Sequence, residues 1–160
     1  MTEYKASWST RLIILTLVAT GILFGISIFS YIQEKTINVI VWLTPLIWFI
    51  AALFTVRSYH IENNQLNIRR LLWETKIDLS NLKRVAFNPL AIQSSVRTFG
   101  NGGLFSFSGF FKNSILGTYR SYSTNYQNAV VLYFDSKTIV ITPDNPVNFV
   151  SAITQFKNLS

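Results

Sequence analysis

The chain has 160 residues but no cysteine and only one histidine, His60. The lack of cysteine excludes disulfide bonds, thiolate zinc ligands and cysteine nucleophiles. A single histidine argues against a multi-histidine metal site and a catalytic triad. The few carboxylates are scattered along the sequence, and no close pair suggests acid–base chemistry. We therefore expect no catalytic residue, no metal site and no cofactor.

Charge is also scarce, because only 13% of the residues are Asp, Glu, Lys or Arg. A soluble domain usually carries about 25%. Between Arg11 and Arg57 the only charged residues are Glu34 and Lys35. This part of the chain is therefore unlike an ordinary soluble domain.

Two long apolar runs fill that interval, at residues 12–32 and 37–56. A transmembrane helix needs about 20 apolar residues, so each run is long enough. The link of residues 33–36 is so short that the two helices must be antiparallel. The first run is longer than a signal-peptide core and lacks a clear cleavage site. We predict an uncleaved transmembrane hairpin that places the protein within the lipid bilayer.

The basic residues outside the hairpin predict its orientation. They precede the first run and follow the second, at Lys5, Arg11, Arg57, Arg69 and Arg70. The link holds only Lys35. The positive-inside rule therefore predicts that both termini, including the short segment 1–11, are cytoplasmic. The expected location is a bacterial inner (plasma) membrane.

Aromatic residues and glycines suggest how the hairpin is held. Amphipathic rings favour the membrane interface, and we assign this role to the rings near the span ends, Trp8, Tyr31 and Tyr59. Gly21 and Gly25 form a GxxxG motif, which permits close helix packing in lipid. We expect them to contact the second helix near Ala51, Ala52 or Thr55. Pairing with a second copy, giving a homo-oligomer, is the alternative.

Residues 57–160 have the periodicity of a β domain with a final helix. Alternating apolar and polar residues begin at Tyr59, and two β runs at residues 129–134 and 138–142 form a hairpin. After Pro146 the apolar residues recur at helical spacing, at Phe149, Val150, Ile153 and Phe156. We expect this helix to dock on the strands through Phe149, Ile153 and Phe156.

This order of elements and several residue strings resemble the bacterial pleckstrin-homology (PH)-like domains of small membrane proteins. The three pieces are IDLSNLKRV at 77–85, a block from RTFGNGGLF at 97–105 through LGTY at 116–119, and VITPDNPVNF at 140–149. The resemblance implies an antiparallel β sandwich or barrel capped by the C-terminal helix, and no catalytic activity. The predicted fold class is thus an α+β membrane protein, with an N-terminal transmembrane hairpin followed by a PH-like domain.

The domain is basic, with 11 Lys or Arg against 5 Asp or Glu from Arg57 onward. A basic module beside a membrane favours contact with anionic lipid headgroups. The candidate residues are Arg57, Arg69, Arg70, Lys83, Arg84, Arg97, Lys112 and Arg120. Membrane topology alone would also explain a basic flank.

The glycine-rich segment 100–103 does not fit a nucleotide-binding loop, because Phe105 occupies the last glycine position and no Lys-Ser/Thr follows. Phe105 and Phe107 alternate as in a strand and are expected in the core. Phe110 and Phe111 are adjacent, so one must point outward in a strand. We include both as candidates for contact with the membrane interface.

These features predict a membrane-anchored, non-catalytic binding or scaffold module. Its PH-like domain would present a surface to a protein partner or to anionic headgroups. Two alternatives stay open, a membrane-tethered nucleic-acid-binding module and an accessory subunit of a transport or enzyme complex. The tether disfavours nucleic acid, and we expect none to bind. The sequence does not identify the protein partner.

Overall fold

A computed structural model of the protein describes residues 3–35 and 38–157. These residues form three α-helices, α1 (Thr10–Glu34), α2 (Val39–Leu53) and α3 (Pro146–Lys157). They also form ten strands: β1 (Glu3–Lys5), β2 (Ser58–Glu62), β3 (Gln65–Arg69), β4 (Glu74–Asp78), β5 (Leu82–Phe87), β6 (Val96–Gly102), β7 (Phe107–Asn113), β8 (Gly117–Ser123), β9 (Val130–Phe134) and β10 (Thr138–Ile141).

Helices α1 and α2 are antiparallel and are joined by polar side chains. The indole nitrogen of Trp48 donates to the Thr20 hydroxyl at 3.1 Å. Nearer the link, the Ser27 hydroxyl donates to the Val41 carbonyl at 3.3 Å. These bonds hold the pair in one register, while most large apolar side chains of both helices point outward and are exposed.

The GxxxG motif does not lie between the two helices, which corrects our expectation. Gly21 and Gly25 are exposed, and a methyl group on either would meet no atom of α2 within 4 Å. Each residue turns the helix by about 100°, so both glycines lie roughly 100–140° around α1 from Thr20. The hydroxyl face of α1 therefore faces α2 and leaves the glycines outside.

Helix α2 is shorter than the predicted run of residues 37–56. It has 15 residues, whereas α1 has 25. Within the described residues, only α1 is long and apolar enough to count as a membrane-span candidate by itself. The predicted run extends past Leu53, the last residue of α2. Its final residue, Val56, is fully buried and belongs to the core of the β domain. Ile37 lies outside the described residues.

The first sheet has the order β1-β2-β3-β4 and is antiparallel throughout. Strand β1 precedes α1 in the chain, but it pairs with β2, which follows α2. Tyr4 lies opposite Tyr59 in this pairing and belongs to the same core cluster. The N-terminal segment is therefore part of the β domain rather than a separate piece.

The second sheet has the order β5-β9-β10-β8-β7-β6. It is antiparallel except where β10 runs parallel to β8. Gly100 of β6 faces Gly109 of β7. A Cβ atom on Gly109 would approach the Phe99 carbonyl oxygen to 2.2 Å, and the φ angle of Gly109 is +145°. These glycines allow two strands to approach closely, which explains their presence without a phosphate ligand.

Helix α3 packs on the domain as the spacing predicts, with one exception. Phe149 and Ile153 are fully buried in the main core cluster. The ring of Phe149 meets that of Tyr4 edge-on at 5.0 Å between centroids. Phe156, however, is 51% exposed, because it lies near the end of the helix. Docking therefore depends on Phe149 and Ile153.

Candidate functional site

The first two turns of α1 are built into the β domain. Leu12 is fully buried in the second core cluster. The Thr16 hydroxyl donates to the Gly103 carbonyl and accepts from the Phe105 amide, each at 3.1 Å. The Ser9 hydroxyl, which caps α1, also donates to the Thr124 carbonyl at 3.1 Å. The helical pair and the domain are thus joined by specific polar contacts as well as by the chain.

An aromatic cluster lies beside this junction. Phe105 meets Trp8 edge-on at 6.1 Å and Trp48 of α2 at 5.1 Å between ring centroids. Phe107 is buried in the core, as its alternation predicts. Phe105 is not, because a φ angle of +68° turns its side chain out of the strand pattern and toward the helices.

Arg70 is buried, which contradicts its assignment as a headgroup contact. Its guanidinium donates to the carbonyl of Phe54, the residue after α2, and to the Thr75 hydroxyl at 3.2 Å. It also lies over the ring of Trp73, 6.0 Å from the centroid. Burial lowers the pKa of the guanidinium. The carbonyl at the end of a helix attracts a cation, so this arginine holds α2 against the domain.

Tyr59 is likewise not at a membrane interface, because its side chain is fully buried. Its hydroxyl donates to the Tyr122 carbonyl at 2.6 Å and accepts from the Thr142 amide at 3.3 Å. Burial raises the pKa of Tyr59 to about 12. The strand alternation that begins at this residue directs the ring into the core rather than toward lipid.

The other interface candidates differ in exposure. Trp8 and Tyr31 are partly exposed, at 36% and 51%. Phe110 points outward and is 40% exposed, while Phe111 is buried and stacks on Tyr119. The adjacent pair thus divides as strand geometry requires, and Phe111 cannot contact a membrane.

A groove of about 610 Å³ opens between the start of α1 and the second sheet. Its floor is aromatic, formed by Phe107, Phe111 and Tyr126. Arg11 of α1 and Arg97 of β6 provide positive charge. Among the described residues that line the groove none is acidic. The rest of the lining includes Leu15 of α1, hydroxyls of Ser94 and Ser95, and amides of Gln93 and Gln127.

The groove is suited to an anionic ligand. Arginine binds phosphate and carboxylate groups through paired N–H donors. The guanidinium of Arg11 lies 5.9 Å from the centroid of the Tyr126 ring. The sequence makes Arg97 a headgroup candidate, whereas the positive-inside rule by itself accounts for Arg11. The sequence contained no local signal that these two residues, 86 positions apart, line one groove.

The other basic candidates do not gather at this groove. Lys83 and Arg84 lie on β5, at the opposite edge of the sheet from β6. Lys83 pairs with Asp135 at 3.4 Å, and Arg69 pairs with Glu3 at 3.8 Å. Arg57 and Lys112 are exposed. Arg120 lines a smaller groove of about 390 Å³ with Lys76 and Lys137, and its guanidinium covers the Phe110 ring at 5.4 Å.

Within residues 3–35 and 38–157, no group of three or more His, Cys, Asp or Glu side chains is placed to hold a metal ion. The side chains that line the groove offer arginine, hydroxyl, amide and aromatic groups. That repertoire fits a binding surface.

Comparison with known proteins identifies the β domain. No curated protein and no solved structure matches the chain. A family model described as "Bacterial PH domain" matches residues 57–156, which is more than half of the chain. The match begins just before β2 and ends within α3, so it leaves out β1 and the two N-terminal helices. It confirms the resemblance in the sequence, and the chain belongs to the bacterial PH domain family.

Proposed function

We propose that this protein is a membrane-anchored, non-catalytic binding module that presents its PH domain at the bilayer surface. One observation carries the proposal. The two apolar helices expose large side chains on their outer surfaces, and their base is fastened into the β domain at Thr16. An exposed apolar surface of this size requires a partner, and lipid fits helices whose outward faces are apolar.

The dimensions of the helical pair support insertion. From Leu15, at the junction, to Glu34, at the end of α1, the helix rises roughly 30 Å at 1.5 Å per residue. That equals the usual hydrocarbon thickness. Helix α2 alone rises roughly 22 Å, which is shorter than that thickness. Modest thinning of the bilayer would accommodate a short helix.

The pairing of β1 with β2 supports an orientation in which both termini share one side. Because β1 precedes the hairpin and β2 follows it, the N-terminus and the PH domain lie at the same end of the helices. The basic residues outside the hairpin favour the cytoplasm for that end. We place the protein in a bacterial inner membrane on this reasoning.

This topology can be tested with single cysteines, since the chain has none of its own. Lys35→Cys should react with a membrane-impermeant maleimide added outside cells. Glu3→Cys and Ser136→Cys, in the domain, should react only after the inner membrane is opened. Labelling of Ser136→Cys in intact cells would refute the orientation. If Lys35→Cys and both domain cysteines remained unlabelled in intact cells and reacted only after lysis, the hairpin would not cross the membrane.

We propose that the groove of Arg11 and Arg97 is the recognition site and that it binds a phosphate-bearing anionic headgroup. Leu15, which also lines the groove, continues along α1 into the apolar surface. A lipid could therefore place its phosphate in the groove and its acyl chains along the helix. Because the anchor holds the domain at a high effective concentration of lipid, weak affinity suffices to orient it.

The experiment uses the full-length protein in neutral detergent with short-chain phosphatidylglycerol or phosphatidylcholine. A ligand that binds only the folded state raises its stability, so phosphatidylglycerol should raise the melting temperature more than phosphatidylcholine. Arg11→Gln with Arg97→Gln should remove the difference. Lys83→Gln with Arg84→Gln, at the other edge of the sheet, is the matched control and should keep it.

Inorganic phosphate distinguishes a site for the free anion from a site for the phosphate of a lipid headgroup. An equal rise with phosphate alone would indicate a site for the free anion rather than for lipid. If phosphatidylglycerol has no advantage over phosphatidylcholine in the wild-type protein, headgroup recognition is wrong. The PH domain would then be better explained by a protein partner.

A further inference from the structure

The turn between β3 and β4 carries three exposed apolar side chains in succession. Leu71 is 46% exposed, Leu72 is 72% exposed and Trp73 is 38% exposed. Tight turns usually contain Gly, Pro, Asn, Asp or Ser, and residues 70–73 include none of them. Such a turn would be costly to hold in water, so its position matters.

The turn lies where α2 ends. The ring of Trp73 meets that of Phe54 edge-on, with 5.1 Å between centroids. Phe54 directly follows the last residue of α2 and is itself exposed. The apolar side chains of the turn therefore continue the outward apolar surface of α2 across the boundary between helix and domain.

The turn is also held in a defined conformation. The amide of Arg70 donates to the Trp73 carbonyl at 2.9 Å and closes the turn. The Arg70 side chain bonds Thr75 on one side and the Phe54 carbonyl on the other. This bracing fixes the turn beside α2 before any ligand binds, so little conformational entropy is lost on binding.

The residues around the turn have the amphipathic character of a membrane interface. Arg69, the last residue of β3, and Glu74, the first of β4, are exposed and lie opposite each other in the register of the two strands. Tryptophan is enriched at the headgroup level, where one part of the ring is wet and the other is apolar. Leu71 and Leu72 form the exposed tip of the turn.

We infer that the Leu71-Leu72-Trp73 turn inserts into the interfacial layer of the same bilayer that holds the hairpin. The inserted turn is a third membrane contact beside α1 and α2. Because the helices are fastened to the domain at Thr16 and Arg70, a further contact at the turn restricts the tilt of helices and domain together in the bilayer. The inference rests on the proposed membrane anchoring of the hairpin.

The test places an environment-sensitive fluorophore on single cysteines of the full-length protein in phosphatidylcholine–phosphatidylglycerol vesicles. Lipids with nitroxides near the headgroup or deep in the acyl chain report depth by quenching. Leu72→Cys should be quenched by the shallow nitroxide. Ile26→Cys, on the exposed face of α1, should be quenched by the deep one. Ser80 lies at the far end of the first sheet, where its hydroxyl accepts from the Asn64 amide, and Ser80→Cys should be quenched by neither.

These positions separate two kinds of failure. If Leu72→Cys resembles Ser80→Cys while Ile26→Cys is quenched, the turn does not insert and the anchor still stands. If Ile26→Cys is not quenched either, the anchoring is wrong and the inference falls with it.

A second variant removes the concern that the fluorophore itself draws the turn into lipid. With the label on Glu74→Cys, beside the turn, the shallow quenching should be lost when Leu71→Ser and Leu72→Ser are added. Both leucines are exposed, so the domain should remain folded, which its unchanged melting temperature in detergent would confirm. Retained quenching at position 74 would overturn the role of the leucines.

Discussion

Thr16 of α1 and Gly103 of the β6–β7 loop are joined by a hydrogen bond of 3.1 Å from hydroxyl to carbonyl. The same hydroxyl accepts from the amide of Phe105, again at 3.1 Å. Thr16 is buried, so water does not replace these partners easily. One side chain thus connects the base of the helical pair to the loop that carries Phe105 and its contacts with Trp8 and Trp48.

Replacing Thr16 by Val should loosen this junction. The substitution keeps the shape but leaves the Gly103 carbonyl and the Phe105 amide without their partner. An unsatisfied buried polar group costs about 1–3 kcal/mol, and the midpoint of thermal unfolding in detergent should fall accordingly. The exposed Thr10 supplies the control, since Thr10→Val should change stability little. Equal effects of the two variants would show that the hydroxyl of Thr16 does not connect the helices to the domain.

Arg70 should behave as a structural residue and its neighbour Arg69 as a surface residue. Arg70→Gln removes the charged donor to Phe54 and the ring contacts, and hydrogen bonds to charged groups contribute about 1.5–3 kcal/mol. Arg69 forms an exposed ion pair with Glu3, and exposed pairs contribute about 0–1 kcal/mol. Arg69→Gln should therefore be nearly neutral in thermal unfolding. If Arg70→Gln left the unfolding temperature unchanged, Arg70 would not hold α2 against the domain.

Helix α3 offers a matched pair of phenylalanines. Phe149→Ala removes a fully buried ring from the core, and such truncations typically cost about 3–5 kcal/mol. Phe156→Ala removes a ring that is half exposed, so its cost should be well below that of Phe149→Ala. Chemical denaturation of the full-length protein in detergent measures both. Similar losses would show that the end of α3 is packed more firmly than its exposure indicates.

Alkaline pH should destabilise the domain through Tyr59. Because burial raises its pKa to about 12 from an ordinary value near 10, the folded state holds the proton more tightly than the unfolded state. The resulting stability is complete below about pH 10 and is lost as the pH rises toward 12. Other buried tyrosines contribute in the same direction, as the pKa of Tyr122 is also raised by burial.

The Tyr59→Phe variant isolates this contribution. It loses the hydroxyl bonds to Tyr122 and Thr142, so it should be less stable than the wild type at pH 8. Its melting temperature should then fall less steeply than that of the wild type between pH 10 and 12. Parallel curves for the two proteins would show that Tyr59 does not titrate on unfolding in this range.

Much of the fold could be predicted because the signals are local. The charge-free run that starts at Leu12 makes a long, predominantly apolar helix, and this follows from the run itself. The spacing of Phe149 and Ile153 likewise defines the buried face of α3. In each case a period along the chain corresponds to one face of one element, and no distant residue is needed to interpret it.

The site was less predictable, because its residues come together only through long-range pairing. Arg11 and Arg97 line a common groove when the start of α1 packs against the second sheet. Arg70 resembles any other surface arginine until the Phe54 carbonyl and three aromatic rings surround it. The residue type determines which contacts a side chain can form. Its burial and its neighbours determine whether it contacts a ligand or packs in the core.

The amino-acid sequence by itself determined the two apolar helices, the antiparallel link, the basic β domain and its family, since composition and periodicity are properties of short segments. Only the tertiary structure decided that Glu3–Lys5 completes a sheet across the hairpin, that the glycines of α1 face outward, and that the β3–β4 turn lies at the end of α2. Strand partners and helix rotation depend on the packing of the whole chain, so segments distant in sequence settle them together.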